Sequence, residues 1–304
     1  MTETPFSLRG PQTGLPGRQG GAGKLLLRWL LYIILFVFAL YYLLPLFVML
    51  TTSLKSLEEI RTGSMLALPR DITFDAWATA WSGACTGIQC EGLQPYFWNS
   101  VVLVIPAVLI STLLGALNGY VVAQWRFKGS NLIFALLLFG CFIPFQVVLL
   151  PMARLLGLSG MAGTIPGLVF VHVIYGLGFT TLFFRNFYVS IPQDLVKAAK
   201  IDGAGFFRIF FSIFLPLSLP IIMVTVIWQF TQIWNDFLFG VSFSQAGTQP
   251  VTVALNNIVN STTGVKEYNV DMAAAIIAGL PTLLVYVVAG KYFIRGLTAG
   301  SVKG

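Results

Sequence analysis

The chain has 304 residues, of which 57% are hydrophobic and only 10% are charged, and its mean hydropathy is +0.84. Soluble globular domains carry about 25% charged residues, so this composition excludes that class and indicates an integral membrane protein. The net charge of +7 then predicts basic cytoplasmic loops rather than a nucleic-acid-binding surface.

Residues 1–24 are rich in Gly, Pro, Gln and Arg and are predicted to form a disordered cytoplasmic tail. Gly17–Lys24 looks like a phosphate-binding loop, but Arg18 replaces its first glycine and Leu25 follows the lysine. No strand precedes this segment, which excludes a nucleotide site there. A signal peptide is not expected, because the apolar run that follows is long and has no small-residue cleavage site.

Six apolar runs are long enough to cross a bilayer, which takes about 20 helical residues. They cover residues 25–50, 98–123, 132–152, 165–184, 209–239 and 272–293. Pro45 is expected to kink the first run, and Pro144 interrupts the third. The predicted fold is an all-α integral membrane protein with six transmembrane helices.

An even number of spans places both termini on one side, and the distribution of Lys and Arg decides which side. Thirteen of the 18 basic residues fall on the side of the termini, and five fall opposite, namely Lys55, Arg61, Arg70, Arg154 and Lys266. Both termini are therefore expected in the cytoplasm, with the chain in a bacterial-type cytoplasmic (inner) membrane. The segment between spans four and five is then cytoplasmic as well.

That segment is the most informative stretch of the chain. Lys197–Lys200 favours a short helix, and Asp202-Gly203 favours a sharp turn after it. The spacing reads Lys-Ala-Ala, three residues, Gly203, nine residues, then Ile213-x-Leu-Pro. It resembles the EAA loop of the permease subunits of binding-protein-dependent ABC importers, with six of the seven fixed positions matched.

In that family the loop forms a coupling helix that docks on a cytoplasmic ATPase subunit. The resemblance assigns this role to Lys197, Ala198, Ala199, Asp202, Gly203, Ile213, Leu215 and Pro216. An ordinary amphipathic connector is the alternative interpretation. Lys197 stands where the family has Glu, which predicts either a compensating acidic residue on the ATPase or a contact made by backbone and apolar groups alone.

Further segments resemble the maltose-type carbohydrate branch, namely Trp98–Ser100, Ile191–Leu195 and Lys291–Gly304. The resemblance implies a first helix with its outer segment at 25–97, a permease core at 98–294 and a cytoplasmic tail at 295–304. It also implies a second, homologous permease subunit, two ABC ATPase subunits and an extracytoplasmic sugar-binding protein. ATP and Mg would bind the ATPase, with no cofactor on this chain. The cargo is expected to be a carbohydrate, of glucose or mannose type.

Polar residues near the end of span five predict a sugar path through Trp228, Gln229, Gln232, Asn235 and Asp236. Sugar hydroxyls bind Asn, Gln and Asp, and sugar ring faces pack on aromatics such as Trp228 and Trp234. Hydrogen bonding between helices explains the same residues equally well. His172 is the only histidine, which excludes a two-histidine metal site and favours a packed, hydrogen-bonded role.

Cys85 and Cys90 lie in the first outer segment, where a small disulfide is expected, with two free thiols as the alternative. No set of Ser, His and Asp, no carboxylate pair and no Cys/His cluster has the spacing of a catalytic or metal centre. The sequence therefore predicts a transporter subunit rather than an enzyme. A membrane-embedded glycan or lipid transferase and a channel working alone are the alternatives from other classes.

Overall fold

The computed structural model describes residues 21–87, 89–125, 127–260 and 265–299, and these residues are almost entirely helical. The helices are α1 (Gly21–Ser53), α2 (Leu57–Thr62), α3 (Asp75–Ser82), α4 (Gln94–Gln124), α5 (Ser130–Phe142), α6 (Phe145–Leu158), α7 (Ile165–Val189), α8 (Gln193–Ile201), α9 (Phe206–Ile209), α10 (Leu215–Leu217), α11 (Leu219–Trp234), α12 (Leu238–Phe243), α13 (Val251–Val259) and α14 (Tyr268–Ala299), with a π-helical turn at Phe210–Phe214. Of the predicted tail at 1–24, residues 1–20 lie outside the described residues, and residues 21–24 belong to α1. Of the predicted tail at 295–304, residues 300–304 lie outside, and the rest belongs to α14.

Among the described residues, those up to Val48 form one compact unit, and those from Met49 onward form another. The described part of the first unit belongs to α1, an apolar helix with Pro45 inside it. At 1.5 Å per residue, the 33 residues of α1 reach about 50 Å, which is longer than the hydrocarbon core of a bilayer.

Four helices are long and apolar enough to cross a membrane, namely α1, α4, α7 and α14. Two further runs are broken into bent pairs. Helices α5 and α6 meet at 104°, and the segment Phe206–Leu217 meets α11 at 76°. The described residues thus contain four candidate spans, or up to six if each bent pair is one span.

Prolines account for both breaks. Ile143 is extended (φ −68°, ψ 123°) because the ring of the following Pro144 disfavours the helical conformation in the preceding residue. In the second pair, Pro216 and Pro220 flank the break at Ser218. The predicted fifth run of 209–239 was wrong in its bounds, because the helix ends at Trp234 and a separate helix starts at Leu238.

The second unit is organised around the close pair α4 and α7. A Cβ atom added to Gly115 would lie 2.3 Å from Thr180 Oγ1, and one added to Gly119 would lie 2.7 Å from Phe184 Cβ. Small residues of this kind let membrane helices approach closely when lipid offers no hydrophobic drive for association. One buried cluster extends from this pair to α3, α11, α13 and α14, and the other extends to α8 and the π-helical turn.

Candidate functional site

Helix α8 is a short amphipathic helix with defined ends. Pro192 precedes its first turn, Asp194 lies in that turn and Lys200 lies in the last, which suits the helix dipole. The helix stops at the turn that the sequence predicts, where Gly203 has φ +77°. Residues with a Cβ rarely adopt that conformation, so glycine is required for this sharp exit.

One face of α8 is held by the protein and the other is open. Val196 is buried, and Ala199 packs beside it against an aromatic cluster formed by Tyr120, Phe184, Tyr188, Phe210 and Phe214. Leu195, Ala198 and Ile201 are exposed, with 86% of Ile201 accessible. The exposed apolar face is available to another protein, while the buried face fixes the helix to the bundle.

The aromatic cluster joins α8 to two spans. The Tyr120 ring on α4 lies 4.7 Å from that of Phe214 and 5.3 Å from that of Phe210. Tyr188, near the end of α7, shares a 2.8 Å hydrogen bond with Ser218 at the break of the fifth run. A displacement of α8 would therefore press directly on the ends of α4 and α7 and on the broken segment.

The remaining predicted coupling residues lie near this cluster. Ile213 and Leu215 pack against it, and Pro216 is exposed two residues before the break at Ser218. Asp202 is exposed at the end of α8, next to Gly203. The predicted set thus lies in α8, in the turn that ends it, and in the π-helical turn with α10.

Lys197 has an acidic partner within its own helix. Its Nζ lies 3.0 Å from Asp194 Oδ1, and both side chains are largely exposed. The pair places a carboxylate one turn before the position at which the family has Glu. The charge of Lys197 is therefore balanced locally in this chain.

A cavity of about 400 Å³ lies beside α7 and α11. Its walls include five aromatic rings, from Phe145, Tyr175, Phe179, Trp228 and Phe239. Its polar side chains are His172, Gln229, Gln232 and Asp236. Four of the five predicted path residues thus line one cavity, and the volume falls within the roughly 300–1,000 Å³ of small-molecule sites.

Asn235, the fifth predicted residue, is directed elsewhere. Its amide nitrogen donates to the Thr231 carbonyl, and its oxygen accepts a 3.3 Å hydrogen bond from Thr282 on α14. Trp234, considered for a sugar ring, is buried and donates from its indole nitrogen to the Ala278 carbonyl at 2.8 Å. Both side chains tie α11 to its neighbours.

Gln229 is buried and bridges three helices. Its amide donates a 2.6 Å hydrogen bond to Ser111 Oγ on α4. It passes so close to α7 that a Cβ atom on Gly176 would lie 2.0 Å from its Nε2. Of the two interpretations, hydrogen bonding between helices fits Gln229 best, even though part of it lines the cavity.

Asp236 lies just beyond the end of α11 and is held by the next helix. Its carboxylate accepts hydrogen bonds from the backbone N–H groups of Phe239 (3.4 Å) and Gly240 (3.1 Å) at the start of α12. Burial raises the pKa of this carboxyl, and the backbone hydrogen bonds partly oppose the rise. The group is thereby fixed in position at the cavity wall.

His172 also lines this cavity, although the sequence favoured a packed, hydrogen-bonded role for it and left it out of the predicted path. It is buried, and its Nε2 lies 3.8 Å from Asp236 Oδ2. Within the described part of the chain, this Nε2 has no hydrogen-bond partner, so the hydrogen bond expected for it is not found at that atom. The spacing in the sequence could have placed His172 at this cavity, because His172, Tyr175, Gly176 and Phe179 share one face of α7.

Cys85 and Cys90 lie between α3 and α4, away from this cavity, and the structure pairs their sulfur atoms. Cys141 on α5 is a free thiol at the cavity wall. In the described ranges, no three His, Cys, Asp or Glu residues gather in a group able to hold a metal ion.

Comparison with known proteins gives the family. Residues 111–298 match the model of the binding-protein-dependent transport system inner membrane component. A probable ABC transporter permease of Pyrococcus horikoshii is 40% identical, over 91% of this chain and 98% of the relative. A xylose/arabinose import permease of Haloferax volcanii is 33% identical, over 88% and 90%.

The fold has a counterpart among solved structures. A chain of a bacterial ABC transporter that imports the acidic polysaccharide alginate superposes with a TM-score of 0.78. The match covers 95% of this chain and 100% of the other at 20% identity, which supports the fold alone.

These relatives are transport subunits, and they do not favour the transferase weighed as the alternative. Membership of the family implies a partner ATPase and a substrate-binding protein. The chain therefore belongs to the binding-protein-dependent transport system inner membrane components, as a multi-pass permease subunit of an ABC importer, and it is not itself an enzyme.

Proposed function

We propose that this subunit crosses the cytoplasmic (inner) membrane six times, with both termini in the cytoplasm, and couples ATP hydrolysis on a partner chain to sugar uptake. The single observation that carries the proposal is the two-sided construction of α8. Val196 fixes the helix to the aromatic cluster, while Leu195, Ala198 and Ile201 form an exposed apolar face. Such a face suits a protein partner.

The six spans follow if each bent pair counts as one crossing. The excess of Lys and Arg on the side of the termini supports the orientation. Helix α8 then faces the cytoplasm, where the ATPase lies. Its predicted docking set includes Lys197, Ala198, Ala199 and the turn at Asp202-Gly203.

The proposed mechanism is alternating access driven through this helix. ATP closes the ATPase dimer and carries the docked α8 with it. Val196 and Ala199 pass the displacement to the aromatic cluster, and Tyr120 and Phe214 pass it to α4 and the fifth span. Close-packed side chains transmit such a movement because they have little free volume to absorb it. The cavity opens outward to receive the sugar, and hydrolysis returns it to the inward state.

The proposed assembly has four further components. A second, homologous permease subunit completes the pathway, two ABC ATPase subunits bind ATP and Mg, and an extracytoplasmic sugar-binding protein delivers the cargo. The family match supports the classes of partner. The number of subunits rests on the resemblance of the sequence to the maltose-type branch.

The cargo is proposed to be a sugar of glucose or mannose type, moving past Trp228, Gln232 and Asp236. These three side chains line the cavity from one face of α11 and the residues after it. The Haloferax relative is named for xylose and arabinose, so uptake of labelled glucose, mannose and xylose by the same vesicles tests the choice.

The docking proposal is tested by placing bulk on the exposed face of α8. We expect Ala198→Trp to abolish ATP-driven uptake in vesicles that contain the whole transporter, because the indole separates the two docking surfaces. Ala198 is exposed, so the variant should fold. Lys128→Trp, also exposed, is the matched control and should transport normally. Normal uptake by Ala198→Trp would refute the docking role.

A further inference from the structure

The cavity beside α7 and α11 contains a polar atom without a partner. His172 is only 6% exposed, and its Nε2 makes no hydrogen bond to any residue that the structure describes. Burying a polar group without a hydrogen bond costs free energy, and most buried polar side-chain atoms have a partner. Because His172 lines the cavity, a molecule inside the cavity is the available source of that partner.

Asp236 faces the same space. Its Oδ2 lies 3.8 Å from Nε2 of His172, which is too far for a direct hydrogen bond. A single oxygen atom can nevertheless lie within about 3 Å of both atoms, which suits an N–H···O bond to the histidine and an O–H···O bond to the carboxylate. A hydroxyl fits between them, since it accepts from Nε2–H and donates its own proton to the carboxylate.

The carboxylate of Asp236 is not free to move closer to His172 and bond it directly. Its carboxylate is held by two backbone N–H groups of α12, and its backbone carbonyl accepts a 2.6 Å hydrogen bond from Thr252. The His172 ring is held edge-on to Phe239, with 5.5 Å between the ring centres. The gap between the two polar atoms is therefore a fixed feature of the cavity wall.

The rest of the wall suits a sugar ring. Trp228 lines the cavity and is braced by Phe179 at 4.7 Å and Phe183 at 5.6 Å between ring centres. Gln232, one helical turn further along, adds an exposed amide. An aromatic face beside a few well-placed polar groups binds a molecule with an apolar face and hydroxyls on its edge.

We infer that this subunit contacts the transported sugar itself, with His172 and Asp236 together binding one ring hydroxyl and Trp228 packing against the ring. The inference rests on the proposed transport path and names a residue, His172, outside the predicted set. It also makes the pair a determinant of specificity. A site built to bind a hydroxyl rejects the analogue that lacks it, because its own polar groups are then left unpaired.

The test uses the complete transporter in vesicles with its binding protein, labelled D-glucose and the four monodeoxyglucoses. For a transporter that prefers mannose or xylose, the corresponding deoxy series is used. The variants are His172→Phe, which keeps a ring against Phe239, and Asp236→Asn, which keeps an oxygen for the α12 N–H groups. All samples share one binding protein, so a change in the ratio of parent to analogue uptake comes from the permease.

We expect both variants to lose discrimination at one and the same ring position. The preference for the parent sugar over that deoxy analogue should fall about tenfold or more, with the other positions unchanged. His172→Gln, which keeps a donor, should restore part of it. Equal loss of uptake for the parent and all analogues, or unchanged discrimination, would overturn the inference.

Thr181→Val is the matched control. Thr181 is also on α7, is fully buried and has an oxygen without a partner among the described residues, but it does not line the cavity. Its discrimination should equal that of the wild type. The two proposals fail in different ways. Normal uptake by Ala198→Trp would refute the coupling proposal, but it would not change the discrimination measured for His172→Phe.

Discussion

The amide of Gln229 donates a 2.6 Å hydrogen bond to Ser111 Oγ, joining two helices whose bonded residues lie 118 positions apart in the sequence. It does so by passing Gly176 on a third helix, which has no side chain to block it. A glutamine in an apolar span thereby fixes the mutual positions of α4, α7 and α11. Because the same three helices border or support the cavity, this contact sets its shape.

Gly176→Ala is expected to break that contact. The new methyl group would lie 2.0 Å from Gln229 Nε2 and force the amide away from Ser111. The loss should be about 1–3 kcal/mol, as for other overpacked sites, and should appear as a lower thermal unfolding temperature of the purified transporter. Gly279→Ala on α14 is the control, because a Cβ there would have no described atom within 4 Å. Equal unfolding temperatures for both variants would contradict the prediction.

Tyr120→Leu is expected to uncouple the transporter. The substitution removes the ring contacts to Phe206, Phe210 and Phe214, which join α4 to the segment packed in the same cluster as Val196 of α8. ATP hydrolysis should continue while sugar uptake per ATP falls about tenfold, which is within the usual range of allosteric coupling factors. The ratio of labelled sugar taken up to phosphate released measures this directly. Tyr120→Phe keeps the ring, loses the hydroxyl that donates a 3.3 Å hydrogen bond to the Phe206 carbonyl and should remain nearly normal.

Lys197→Glu tests the reversed charge of the motif. It restores the family's residue but places it three positions from Asp194, where like charges repel by about 0.2–0.5 kcal/mol. We expect weaker assembly with the ATPase at low salt and recovery as salt screens the repulsion. The double variant Asp194→Lys with Lys197→Asp reverses the pair and should assemble better than Lys197→Glu alone, if local balance is what matters.

Assembly is measured by the yield of ATPase that co-purifies with each variant. Equal yields for the wild type and all these variants would show that charge at this position contributes nothing, leaving contact through apolar and backbone groups. A compensating acidic residue on the ATPase would instead be indicated if Lys197→Glu failed at every salt concentration.

Local features of the fold were predictable from the sequence. The apolar runs at 98–123 and 165–184 correspond to α4 and α7, and the Ala-rich segment with Gly203 corresponds to α8 and its turn. These are properties of neighbouring residues, read from composition and spacing. The bends were only partly predictable, because Pro144 marks a break but leaves its 104° angle to the packing around it.

The cavity forms through contacts between residues that are distant in the sequence. The sequence alone therefore could not show which polar residues line the cavity and which bond to neighbouring helices. Gln229 and Asn235 look equivalent in the sequence to Gln232, yet partners on α4 and α14 hold their side chains. His172 looked like a packing residue because Asp236, its neighbour in the cavity wall, lies 64 positions later. Only the tertiary structure brings the two together.

The most direct measurement of the coupling role is photo-crosslinking from α8. A photoreactive amino acid at Ala198 in the assembled transporter should form an adduct with the ATPase subunit, whereas one at Leu66 in the predicted outer segment should form none. Both positions are exposed, so the probe is accessible at each. An adduct from position 198 alone is the predicted result. Absence of an ATPase adduct there, or an equal adduct from position 66, would contradict both the docking of α8 and the orientation of the chain.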